Sequence, residues 1–272
     1  MSPRGALVVR YASLTVLGAI VLFPIYAIVV NSLSTTTEIS NGFPWFPSSP
    51  DWGNYSKAWD EGHFSRYLLN SAIVTIAITA GQVATAILAA YAFAFLSFPL
   101  KRTLFVLFIV TLMIPGEVTI LQNVATITDW NWKNTYWALV VPFLASGFGA
   151  FLLRQAFLQV PDDLREAAFL DGYGHLRFLT RIVVPLTRPA IAAMGLFAFL
   201  GAWNQYLWPL LVTSDDRYRT IQNGLSQLGG TSLQEFTTTY AGTVIGFLPV
   251  ALLLLLFSKQ LVRGLTAGAV KG

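Results

Sequence analysis

The chain has 272 residues, of which 55% are hydrophobic and 11% charged, with a mean hydropathy of +0.61 and a formal charge of +4. A soluble domain carries about 25% charged residues, so this composition is that of a membrane protein. Cysteine is absent, which excludes a disulfide framework, thiolate chemistry and any Cys-based metal site.

A spanning helix needs about 20 apolar residues, because the hydrocarbon core is roughly 30 Å thick and the helix rises 1.5 Å per residue. Long stretches with few or no charges predict spans over 11–32, 67–96, 134–157, 189–212 and 240–261, and a sixth over 103–127, interrupted by Glu117. Arg4 and Arg10 precede the first stretch and no small-x-small cleavage site follows it, so it is expected to be a retained span. The segment 33–65, with "NGFPWFPSSPDWGNYSKAWDEGHF", is rich in Pro, Trp and Gly. Two readings stand for it: an ordered aromatic cap that receives a partner, or aromatics that anchor the chain at the interface. In the second span Ala80, Gly81 and Ala84 form a small-residue patch for close helix contact, and Gly242 and Gly246 do the same in the sixth.

Glu117 is the one carboxylate well inside a predicted span. It lies 15 residues past Arg102, hence roughly 22 Å along a straight helix, in the outer half and just after a break at Pro115-Gly116. Gln122 and Asn123 follow within two turns. In the fourth span "GFGAFL" at Gly147 is a packing feature. In the fifth, Trp203, Asn204, Gln205 and Trp208 offer amides and aromatic faces. Amides with aromatic rings suit sugars and polyols, whose hydroxyls need hydrogen bonds and whose C–H faces need rings. A polar group in a span is costly and usually faces a cavity, so these seven side chains are the candidate solute path. The competing assignments are interhelical hydrogen bonding for Glu117, Asn204 and Gln205, and an interfacial belt for the tryptophans. No basic residue lies in the interior of a span, Arg154 and Lys259 falling at inner ends, which leaves both a phosphate-bearing and a neutral solute open.

The basic residues orient the chain. With the N-terminus cytoplasmic, the inner segments hold Arg4, Arg10, Lys101, Arg102, Arg154, Arg165, Arg177, Arg181, Arg188, Lys259, Arg263 and Lys271; the outer ones hold Lys57, Arg66, Lys133, Arg217 and Arg219. Twelve against five fixes this orientation and explains the pI of 9.4 without nucleic acid.

The inner segment 160–188 is too long for a simple connector, which usually takes about 2–8 residues. Pro161 suits a first helical turn, Asp162 and Asp163 complement a helix N-terminus, and Gly172 can stop the helix. Leu164, Ala167, Ala168 and Asp171 fall near one face. A second helix then begins, with Leu176, Leu179, Ile182 and Val183 at helical spacing, to be ended or kinked by Pro185 and Pro189. A short helix with a small-residue face suits docking in a groove of another protein.

"EAAFLDGYGHLRFLTRIVVP", Glu166 to Pro185, resembles the EAA loop of ABC-importer permeases: E-A-A, three residues, G, nine residues, I-x-L-P. Here these are Glu166, Ala167, Ala168, Gly172, Ile182 and Pro185, with Val184 in place of Leu. "GAWNQYLWPLL" and the terminal "GLTAGAVKG" resemble the second permease of the maltose-type, carbohydrate-uptake branch. "SFPLKRTLF", "TLMIPGEVTI" and "WNQYLWPLL" look most like its glycerol-3-phosphate or glycerophosphodiester members. The resemblance implies an all-α polytopic fold over 1–272, with six transmembrane helices, both termini cytoplasmic, an external loop 33–65, a coupling loop 160–188 and a tail 262–272. It implies that Glu166 pairs with a basic group on an ATPase, that Ala167 and Ala168 allow close approach, and that Asp171, Gly172, Ile182 and Pro185 complete the coupling element. The tail residues Gly264, Leu265, Thr266 and Gly268 would reach into the ATPase dimer.

The pattern G-x-x-x-x-G-K-[ST] is absent, so ATP and Mg²⁺ are expected on a separate ATPase homodimer, and no cofactor or catalytic residue on this chain. The resemblance also implies a second permease, an extracytoplasmic solute-binding protein, surrounding lipid, and a bacterial or archaeal cytoplasmic membrane. Two other classes compete. An intramembrane enzyme would need clustered His, Asp, Ser or Lys at span depth, whereas His63 and His175 fall in loops. An ion-driven transporter would need ionisable relays in the spans and usually inverted repeats; a chain that moves solute without an ATPase would identify it.

Overall fold

A computed structural model describes residues 3–61, 63–229 and 233–266. Among these, every regular element is helical. The chain divides into two compact units, Met1–Leu68 with Ile221–Pro249, and Leu69–Thr220 with Val250–Gly272.

The first unit contains α1 (Pro3–Leu33), α2 (Thr36–Ser40), α3 (Gly53–Glu61), the start of α4 (Phe64–Phe95), α14 (Ile221–Leu228) and the first half of α15 (Leu233–Thr266). Polar side chains order the stretch 33–54. Thr35 and Glu38 form a capping box at α2, and the Glu38 carboxylate also accepts from the Ser48 amide and hydroxyl. Asn54 donates to the carbonyls of Ser32 and Ser34 and accepts from Thr237. Gly242 and Gly246 allow α15 to approach its neighbours: a Cβ at Gly242 would lie 2.7 Å from the Phe64 ring.

The second unit contains the rest of α4, then α5 (Lys101–Val110), a 3₁₀ turn (Thr111–Met113), α6 (Gly116–Asp129), α7 (Tyr136–Val140), α8 (Gly147–Phe157), α9 (Asp162–Leu170), α10 (His175–Phe178), a π-helical turn (Leu179–Val183), α11 (Val184–Leu186), α12 (Arg188–Trp203) and α13 (Leu207–Val212). One core lies between α4, α8, α10 and α12, around Ala86, Tyr91, Leu153, Phe157, Phe178 and Met194. A second surrounds Val74, Ile78, Leu139 and Trp208. Asn70 is fully buried: its amide donates to the carbonyls of Arg217 and Arg219, and its oxygen accepts from Tyr136.

Among the described residues, three helices are long and apolar enough to cross a membrane, Val9–Leu33, Phe64–Phe95 and Glu235–Phe257. Three more candidates are bent pairs: Lys101–Met113 with Gly116–Asp129 at 93°, Tyr136–Phe143 with Gly147–Phe157 at 41°, and His175–Leu186 with Arg188–Trp203 at 83°. The 93° bend sits at Pro115, where φ −60° and ψ 133° leave the helical region. The straight-helix depth expected for Glu117 does not survive it, since distance along the chain stops measuring depth at the bend. The stretch 189–212 is likewise two helices, separated at 204–206.

Pro185 does not end its helix. The preceding turn widens into a π-turn, which relieves the clash that a proline ring makes with the carbonyl four residues back. The 83° bend falls instead at Thr187, and Pro189 occupies the first turn of α12.

Candidate coupling surface and solute cleft

The coupling segment is a helix, a glycine stop and a second helix. Asp162 and Asp163 sit in the first turn of α9, and Asp162 pairs with Arg165 at 3.1 Å. Gly172 has φ +79°, in the left-handed region. The amide of Tyr173 donates to the Ala168 carbonyl at 2.9 Å and that of Gly172 to Phe169 at 3.1 Å, the paired bonds of a Schellman stop. Glu166, Ala167, Asp171 and Gly172 are exposed. Ala168 is not: it is 4% exposed and belongs to the first core, so the two alanines divide, one outward and one inward. Ile182 and Pro185 are half-buried, and Ile182 packs on the same core.

An aromatic cluster joins this segment to the long helices. Phe178 is fully buried and lies 5.4 Å from Phe95 and 5.8 Å from Phe169, while Phe95 also meets Phe157. The Tyr91 hydroxyl is 2.8 Å from His175 Nδ1, and the His175 ring stands edge-on to Phe169. Sequence patterning showed an outward face for α9. It missed Tyr91 and His175, whose pairing across 84 positions has no local signature.

A cleft of about 290 Å³ lies where α6 faces the 204–207 break, lined by Glu117, Thr119, Asn123, Gln205, Tyr206 and Trp208 among others. A neighbouring cleft of about 300 Å³ shares Asn123, Pro142 and Trp208 with it and adds Trp130 and Trp132. Four of the seven proposed path residues therefore converge: Glu117, Asn123, Gln205 and Trp208. Three do not line either cleft. Gln122 is exposed one position round the helix from the cleft, Trp203 is buried and stacked on Phe199 at 5.8 Å, and Asn204 caps α12 by donating to the Leu200 carbonyl at 2.9 Å. Trp208 presents its ring alone, since its indole N–H donates to the Ala138 carbonyl at 2.9 Å. Gln205 Oε1 is buried and has no donor among the described residues. Thr119 and Tyr206 complete the wall; they were hidden because only the 93° bend and the 204–206 break bring their elements together.

Gly264, Leu265 and Thr266 lie in the last turn of α15, and Gly268 lies outside the described residues.

Residues 65–267 match the family described as the binding-protein-dependent transport system inner membrane component. The chain belongs to that family. It is similar to the sn-glycerol-3-phosphate transport system permease protein UgpE of Yersinia pestis bv. Antiqua, 36% identical over 255 residues, covering 90% of this chain and 91% of the relative. Its fold is that of a chain in a bacterial ABC transporter for import of the acidic polysaccharide alginate, with TM-score 0.84 at 20% identity and coverage of 95% and 97%. It also resembles a chain of a bacterial alginate ABC transporter in complex with an alginate pentasaccharide-bound periplasmic protein, with TM-score 0.63 at 13% identity and coverage of 93% of each. The permease is thus a membrane subunit of an ABC importer, and its EAA segment and cleft acquire their context from that role.

Proposed function

We propose that this permease crosses the cytoplasmic membrane of a bacterium or archaeon six times, counting each bent pair as one span, with both termini and the segment 160–188 inside. It pairs with a second permease, receives solute from an extracytoplasmic binding protein, and is driven by a separate ATPase homodimer that holds ATP and Mg²⁺. The carrying observation is α9. Its outward residues Glu166 and Ala167 are free for a partner, while Ala168 and Phe169 tie the same helix to the core between α4 and α8. A push on α9 therefore moves the spans rather than a loose loop. Glu166 would pair with a basic group of the ATPase, beside Asp171, and the tail at Gly264, Leu265, Thr266 and Gly268 would reach the ATPase dimer.

The proposed solute is a glycerol phosphate or a related carbohydrate, following the relative's name. Glu117, Thr119, Asn123 and Gln205 would meet its hydroxyls and the Trp208 ring its C–H face. A second reading, a neutral oligosaccharide or polyol, is favoured by one observation: among the described residues no lysine, arginine or histidine lines either cleft. Under the first reading the second permease would supply the cations for the phosphate.

The test is reconstitution with the partner subunits and binding protein, measuring solute uptake and ATP hydrolysis together. Uptake should require ATP, and Glu166→Lys should lower uptake per ATP at least tenfold. Uptake that stays coupled in Glu166→Lys sinks the docking account, and uptake without the ATPase sinks the importer account. Competition by glycerol phosphate against a neutral polyol separates the two solutes.

A further inference from the structure

The C-terminal carbonyls of α4 are held by two cations from other elements. Lys101 Nζ donates to the carbonyls of Ala94 and Leu96 at 3.2 and 2.8 Å. Arg154 Nε donates to the Phe93 carbonyl at 3.1 Å, and its guanidinium stacks over the Phe105 ring at 4.1 Å. These contacts fix both side chains in place. The two terminal nitrogens of Arg154 have no partner among the described residues, and one proton of Lys101 is left over. Arg102, next in the chain, is exposed and makes no ion pair among the described residues. The Arg165 charge also reaches the Lys101 ammonium, and Arg165 itself pairs with Asp162.

The helix that begins with these cations turns an apolar face outward. Arg102, Val106 and Val110 stand one above another at four-residue spacing, with Val106 52% and Val110 47% exposed. A basic cluster under an exposed apolar stripe complements one molecule in both parts: a phosphate for the cations and acyl chains for the stripe.

We propose that Lys101, Arg102 and Arg154 form a binding site for the phosphate of an anionic phospholipid in the cytoplasmic leaflet. The stacked Arg154 supplies a pre-set fork of donors, which matches a phosphate better than a freely moving lysine does. Its position between α4, α5 and α8 places bound lipid against the elements that meet the coupling segment. Lipid charge would thus bear on a joint through which ATPase motion passes.

The purified full-length chain in detergent is titrated with short-chain phosphatidylglycerol or phosphatidylcholine, and retained lipid is counted by native mass spectrometry. Phosphatidylglycerol should be retained preferentially. Arg102→Gln, which removes no contact within the described chain, should weaken that preference roughly fivefold, and Lys101→Gln/Arg102→Gln further. Arg188→Gln, at another inner position, should leave it unchanged. Equal retention of the two lipids overturns the proposal. So does equal protection by inorganic phosphate, which would assign a soluble anion. If lipid retention is unchanged in Arg102→Gln while recovery of the ATPase falls, the cluster is a protein contact and the lipid assignment fails.

Discussion

Single residues decide how the functional elements are held. Gly172 at φ +79° has nothing within 4 Å of a hypothetical Cβ, so the obstacle to a side chain is the backbone conformation alone. Gly172→Ala should lower stability by about 1 kcal/mol from the left-handed strain, seen as a small fall in Tm with uptake retained. Gly172→Pro also removes the bond to Phe169 and should abolish coupled uptake. Trp208→Phe keeps the ring but orphans the buried Ala138 carbonyl, at a cost of about 1–3 kcal/mol, measurable by thermal denaturation. In the outer loop, the hydrogen bonds from Ser48 and Thr35 hold the Glu38 carboxyl down at about 2, from an ordinary 4.5. Because the folded value is the lower one, the stabilisation is complete above about pH 4.5 and declines as the pH falls towards 2. The loss of thermal stability in Glu38→Gln should therefore be largest at neutral pH and should vanish near pH 2, followed by tryptophan emission.

At the scale of elements, close approach and breaks shape the second unit. A Cβ at Gly149 would sit 2.4 Å from the Met194 methyl and 3.2 Å from the Ala86 Cβ, so α8 closely approaches α4 there, and the Met194 side chain of α12 reaches into the same gap. Gly149→Val should cost about 1–3 kcal/mol by overpacking and reduce folded yield in detergent. At Gly147, flagged in the sequence as a packing glycine, a Cβ would lie 2.5 Å from the Leu112 side chain. The helices themselves were legible, because spans announce themselves as long uncharged runs. Their bends were less so. Pro115 signalled a break but not a turn of 93°, and the kink expected at Pro185 and Pro189 falls between them, at Thr187, because a π-turn absorbs Pro185. A proline states what its own backbone cannot do; the neighbouring turns decide how the chain accommodates it.

At the scale of the molecule, the aromatic cluster of Tyr91, Phe95, Phe157, Phe169 and Phe178 packs α9, the proposed docking helix, against α4 and α8. Tyr91→Phe deletes the hydroxyl contact with His175 while keeping the ring. We expect this variant to fold and to hydrolyse ATP with its partners, but to transport less solute per ATP; an unchanged ratio would show that the ring packing alone transmits motion.

The sequence by itself determined that this is a helical membrane protein and which spacing marks the EAA segment. Each of these depends on composition or on residues near one another in the chain. The tertiary structure alone decided that Ala168 turns inward while Ala167 stays out, and that Trp203 stacks on Phe199 and Asn204 bonds to the Leu200 carbonyl, outside both described clefts. It also decided that Glu117, Asn123, Gln205 and Trp208 meet. Those outcomes depend on the angles at Pro115 and at 204–206, and a bend angle is set by what the two arms pack against, which no local pattern records.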